Sequence, residues 1–146
     1  MNELIVKVSH CRTHLEKLNW LPPLLARITL GWVFVMSGWG KLQHMPKVID
    51  FFTSLELPAP DFLAHLVAFS ELFCGVLIFL GLLSRLASIP LSIIMIVAIL
   101  TAKWPDLKEF SDLFKFSEFL YLLLFVWIVI EGPGKVSLDY ITFKKR

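Results

Sequence analysis

RITLGWVFVMSGWGK, residues 27–41, decides how the rest of the chain is read: fifteen residues, a cation at each end, three glycines and otherwise almost only apolar side chains. A soluble helix would interleave a polar face, and this stretch has none. With Leu21 to Leu25 in front of it, the apolar length reaches about twenty residues, enough at 1.5 Å per residue to cross a ~30 Å hydrocarbon layer. Arg27 then lies inside the layer. A guanidinium there costs roughly 2.5–3.5 kcal/mol on insertion scales, so it is expected to face protein and to be paired.

The whole chain agrees with that reading. It has 146 residues, 57% of them hydrophobic and 18% charged, with a mean hydropathy of +0.74. These values exclude an ordinary soluble domain and point to one membrane unit that sits in a lipid bilayer. The net charge of +2 is too small to suggest a nucleic-acid partner. The two cysteines, Cys11 and Cys74, are far apart and form no CxxC pair, so neither a disulfide framework nor a thioredoxin-like motif is indicated.

Outward from the first span, the fold class expected is an all-α membrane protein: a four-transmembrane-helix bundle with an amphipathic N-terminal helix and a short interfacial helix. Residues 1–20 place Leu4, Val8, Cys11, Leu15 and Leu18 on one stripe and Lys7, His10, His14 and Lys17 on the other, which suits a basic helix lying on a membrane surface. His10, Cys11 and His14 share a helical spacing, but with no fourth ligand no metal site is assigned. Spans are expected at about 21–42, 62–83, 86–102 and 113–130. Between the first two, Val48, Phe51, Phe52 and Leu55 repeat at helical period and give the interfacial helix, ended by Pro58-Ala59-Pro60. Asp61 is expected to cap span two. Ser84-Arg85 leaves only a tight turn before span three, where Pro90 is expected to produce a kink. Glu131-Gly132-Pro133-Gly134 stops span four, and residues 141–146 form a basic tail.

Four spans put both termini on one side. That side carries Lys7, Arg12, Lys17, Arg85, Lys135, Lys144, Lys145 and Arg146, against Lys41, Lys47, Lys103, Lys108 and Lys115 on the other. The excess predicts cytoplasmic termini. With the outer ends of the spans taken as level, Arg27 lies roughly 22 Å deep, Glu71 roughly 15 Å and Glu118 roughly 8 Å. The reachable pairs are then Arg27 with Glu71 and Lys41 with Glu118, His65 joining the second. Arg27, Lys41, His65, Glu71 and Glu118 thus make a polar seam, ligand-binding or structural. Gly31, Gly38 and Gly75 are helix-packing positions where a neighbouring helix comes close. Met36, Met45 and Met95 with His44 and His65 are too scattered for a soft-metal path. No phosphate loop, nucleophile elbow or HExxH motif is present, so no catalytic residue and no metal site are assigned.

In order and spacing, several of these pieces resemble the DoxX family of small bacterial inner-membrane proteins. They are Arg27 and Leu30-Gly31, Phe34 with Gly38 and Lys41-Leu42, and the run from Phe51 to Pro60. Glu71 followed by Gly75, the Gly81 to Arg85 turn and GPGKVSLDY from Gly132 to Tyr140 complete the set. The resemblance covers residues 21–140. It implies a four-helix membrane domain and a membrane subunit or anchor of a redox or oxidative-stress complex, with a protein partner and a quinone as the ligand of the seam. It does not imply enzyme activity by this chain alone. A proton-coupled transporter using the same charges and a purely structural docking scaffold stay open, as does a homo-oligomer.

Overall fold

A computed structural model describes residues 18–104, 107, 109–134 and 136–143. The expected N-terminal surface helix and the last basic residues therefore lie outside the described part. Most of the described residues are helical, and none of them lies in a strand. Helix α1 (Leu21–Gln43) leads into the short α2 (Met45–Ser54), then α3 (Pro60–Leu80) and α4 (Ser84–Ala98), which runs on as a π-helical turn over Ile99–Lys103. A 3₁₀ segment, Phe110–Lys115, precedes α5 (Ser117–Glu131), and α6 (Leu138–Phe143) closes the described chain.

Prolines start three of these helices, at Pro22-Pro23, Pro46 and Pro60, where the missing N–H has no partner to lose. Ala59 caps α3 with a left-handed backbone, φ +48, so the expected cap, Asp61, falls instead in the first turn. There it meets the positive end of the helix dipole. Pro90 lies inside α4, which continues through it; the later departure from α geometry is the π turn.

Helices α1, α3 and α4 with its π extension are long and apolar enough to cross a membrane. The fourth stretch, expected as one helix over 113–130, is divided. Phe116 is extended at φ −82 and ψ 126, between the 3₁₀ segment and α5. Glu109 and Asp112 close a reciprocal capping box on the 3₁₀ segment, which gives that piece its own start. The fifteen residues of α5 rise about 22 Å, less than a full crossing.

Helix α1 packs chiefly on α3, and α4 chiefly on α5; the tight α3–α4 turn joins the two pairs. Three glycines set the register of α1 against α3. A Cβ on Gly31 would lie 2.6 Å from Phe79 Cβ, one on Gly38 2.5 Å from the Leu72 amide nitrogen, and one on Gly75 2.8 Å from that of Val35. The backbones touch at these three points, as the packing role expected for these glycines requires. Leu30, Phe34, Ile78, Leu91, Phe125 and Ile128 fill the core between the pairs. Phe34 meets the ring edges of Phe125 at 4.9 Å and Tyr121 at 5.6 Å, the offset geometry that aromatic quadrupoles favour. Trp32, Phe62, Phe69, Phe73, Leu86 and Ile130 point outward and are exposed, an apolar exterior suited to lipid.

Candidate functional site

The glycine register corrects the expected charge pairs. With Gly31 opposite Phe79, Val35 opposite Gly75 and Gly38 opposite Ala68 to Leu72, α3 overshoots the end of α1. Relative to span ends set level, the shift is about six residues, or ~9 Å. Lys41 therefore comes level with Glu71, and Arg27 with the α3–α4 turn. Lys41 Nζ lies 2.5 Å from each Glu71 carboxylate oxygen, and Ser37 Oγ donates to Oε2 at 2.8 Å. Glu71 is 2% exposed at its side chain and Lys41 27%, so the pair sits at the inner edge of wetted space. Ser37 was not singled out in the sequence; one turn before Lys41 on the same face, it is found by helical spacing once Lys41 is placed.

A cavity of about 550 Å³ opens beside this pair. Ser37, Lys41 and Glu71 contribute its polar wall from α1 and α3, and Ser117, Glu118 and Tyr121 face them from α5. The remaining lining is almost wholly apolar. Leu66 and Val67 come from α3, and Ile93, Ile94 and Val97 from α4. Lys47, Val48, Phe51 and Phe52 of α2, with Leu55 just after its end, cover it. Helix α2 buries none of its residues completely and packs on the overhanging turns of α3, so the expected interfacial helix is the cavity's roof. Thr101 and Ala102, in the π turn of α4, also line the cavity. Single π turns recur at functional sites because they displace a side chain from its helical register.

Of the other expected seam residues, Glu118 is in the cavity wall, but its cationic partner is Lys103, at 3.7 Å, in place of Lys41. His65 does not join: its side chain is 47% exposed and its Nδ1 turns back to the Asp61 carbonyl at 2.9 Å. Met95 is buried in the core, whereas Met36 is exposed, so the methionines do not converge. Among the described residues no group of three His, Cys, Asp or Glu could hold a metal.

Arg27 belongs to the opposite end. Its Nη1 donates to the Pro133 carbonyl at 3.1 Å and its Nη2 to that of Val136 at 2.6 Å. Gly81, at φ +72, makes room: a Cβ there would strike the guanidinium. The same tail reaches α4. Asp139 accepts the Leu83 amide at 2.7 Å and the Ser84 amide at 3.1 Å, while its own N–H donates to Gly81 O at 2.9 Å. Arg85 returns the contact, donating to the carbonyls of Ile130 and Glu131 at the end of α5. The start of α4 and the end of α5 are thus capped by side chains from other segments, Asp139 and Arg85. The sequence held a signal for this in the Gly81 to Arg85 and GPGKVSLDY stretches, though not for which groups meet.

The sequence profile of the DoxX family matches residues 23–104. The chain belongs to the DoxX family. The matched stretch runs from the start of α1 to the π turn and so contains both members of the Lys41–Glu71 pair. This DoxX protein is 37% identical over 84% of its length to 88% of a Bacillus subtilis protein named "Putative oxidoreductase CatD". It is 32% identical to an uncharacterized membrane protein of Mycobacterium tuberculosis, Rv3486, over 81% of this chain and 80% of that one. The inner membrane protein YqjF of Escherichia coli is 27% identical over 90% of this chain and 99% of its own. No solved structure matches the chain.

Proposed function

We propose that this DoxX protein is a four-span inner-membrane protein with cytoplasmic termini, a membrane subunit or anchor of a redox or oxidative-stress complex whose cavity holds a small lipid-soluble ligand of quinone type. The observation that carries the reading is the Lys41–Glu71 pair in the wall of a 550 Å³ apolar cavity. Cavities of 300–1,000 Å³ with a few convergent polar groups are the usual form of small-ligand sites. The donor set suits a carbonyl-bearing ring. Glu71 takes two of the three N–H donors of the Lys41 ammonium, leaving one for a ligand oxygen, and the Ser117 and Tyr121 hydroxyls stand on the other wall. The excess of Lys and Arg at the Arg27 pole supports the orientation. CatD's name supports the redox association. In that role a quinone would carry electrons to or from a partner, and this chain would hold and orient the ring.

The hydrogen bonds that tie the Arg27 pole together favour a holding role over a transport path, which needs access from both sides. The test is native mass spectrometry of the gently extracted full chain, with identification of retained lipids and quinones, on wild type and on Lys41→Met/Glu71→Gln. Both charges leave together in that variant, so no buried ion is stranded. A quinone held by wild type and lost in the variant is the expected result. If both forms come out without ligand and with the same protein attached, the pair is architecture and the chain is a scaffold.

A further inference from the structure

The cavity has an opening on the flank between α3 and α4, and the residues there say what kind of molecule uses it. Leu66 of α3 and Ile93 and Val97 of α4 line the cavity, yet they are 49%, 56% and 43% exposed. A residue that is both in the wall and on the outside marks an opening. These three belong to one seam: in an antiparallel hairpin turning near Leu82, Leu66 comes level with Val97 and Ile93 with Glu71. The seam lies within two helices long enough to cross a membrane. The opening thus faces lipid and reaches the depth of the ion pair.

The polarity of the cavity has the same direction. Its polar groups, Ser37, Lys41, Glu71, Ser117, Glu118 and Tyr121, stand on α1, on the inner face of α3 and on α5, with Lys47 on α2 and Thr101 in the π turn, while Leu66, Ile93 and Val97 make the flank between α3 and α4 aliphatic at the depth of the pair. A molecule matched to it carries a hydrogen-bonding head at Lys41 and a long apolar tail leaving between Leu66 and Val97. From this we infer that the cavity is loaded sideways from the bilayer, through the α3–α4 seam, and that its ligand is a tailed amphiphile whose chain stays in the lipid. The tail concentrates the molecule in the bilayer at the level of the opening and packs against the aliphatic seam, an advantage that a free headgroup lacks. The inference rests on the cavity's being a ligand site and extends it to the class of ligand and its route.

The experiment compares two probes with the same ring, menaquinone-4 and tail-less menadione, for binding to the full chain in lipid nanodiscs. Wild type is compared with Leu66→Trp and Val97→Trp, which fill the seam, and with Phe62→Trp, an exposed position outside the cavity lining. The Leu66 and Val97 side chains are substantially exposed, so the larger ring is accommodated without repacking the core; thermal melting of each variant confirms the fold. The expected result is tighter binding of menaquinone-4 than of menadione by wild type and by Phe62→Trp. Menaquinone-4 affinity falls at least about tenfold in the two seam variants, while menadione binding stays within about twofold. Equal loss of both probes, or no loss of either, overturns the lateral route and leaves the ligand site standing. Wild type binding neither probe overturns the ligand-site reading and the route with it.

Discussion

Separating Lys41 from Glu71 by mutation gives the sharpest test of how the site is built. Glu71 is 2% exposed at its side chain and accepts from both Lys41 and Ser37. Replacing Lys41 with Met strands a carboxylate that keeps only the Ser37 hydroxyl. A buried ion left without its partner costs about 3–5 kcal/mol, and the 27% exposure of Lys41 lets water offset part of that, so ~2–4 kcal/mol is expected. Glu71→Gln leaves the cation on a long, partly exposed stem that can turn toward the Glu118 side of the cavity, and ~1–2 kcal/mol is expected. The double variant strands nothing and should cost no more than the Lys41→Met change alone. The two substitutions are therefore coupled by about 2 kcal/mol, well above the few tenths found between independent sites. Equilibrium unfolding of the four proteins in mixed micelles measures the cycle. Additivity within about 0.5 kcal/mol would refute the direct pair.

At the α1–α3 contact, Gly38→Ala puts a methyl against backbone atoms, the Leu72 nitrogen at 2.5 Å and the Ala68 oxygen at 2.8 Å, and should cost about 2–3 kcal/mol in micelle unfolding. Gly40→Ala, two residues on, meets nothing within 4 Å and should be neutral or stabilising by up to ~1 kcal/mol in the same assay. Asp139→Ala removes the acceptor of two amides at the start of α4 and should lower stability by roughly 1.5–3 kcal/mol, read as a drop in melting temperature. Arg27→Lys replaces a planar fork with a single ammonium that cannot serve the Pro133 and Val136 carbonyls in the same geometry; faster protease cleavage after Gly132 is expected.

The helical class and three helices long and apolar enough to cross a membrane were legible in the sequence because both are written in local period and hydropathy. Apolar runs of twenty residues announce themselves, and a glycine on a helix stripe implies a close neighbour. The pairing of Lys41 with Glu71 was not legible. Depth along a helix can be counted from sequence, but the sliding of one helix against another is fixed by where backbones touch, and an error of six residues exchanged the partners of every charge. His65 misled for a related reason: spacing put it near the cavity level, while rotation about the α3 axis put it outside. Phe116 broke the fourth apolar run because the Glu109–Asp112 capping box upstream outweighed hydropathy, which carries no information on backbone direction.

The trans-capping at the Arg27 pole has a mechanical consequence. There Asp139 and Arg85 cap the start of α4 and the end of α5, Arg27 ties α1 to the chain after α5, and the Asp139 N–H ties α3 through the Gly81 carbonyl; at the other pole α2 rests on its neighbours without a fully buried residue. The bundle is stiff at one end and compliant at the other, like a peg sprung at its base. Amide exchange should rise steadily from Gly81 toward Ala59 along α3. Whatever enters the cavity would spread the helices by rotation about that stitched base, leaving the pole with Arg27 unchanged.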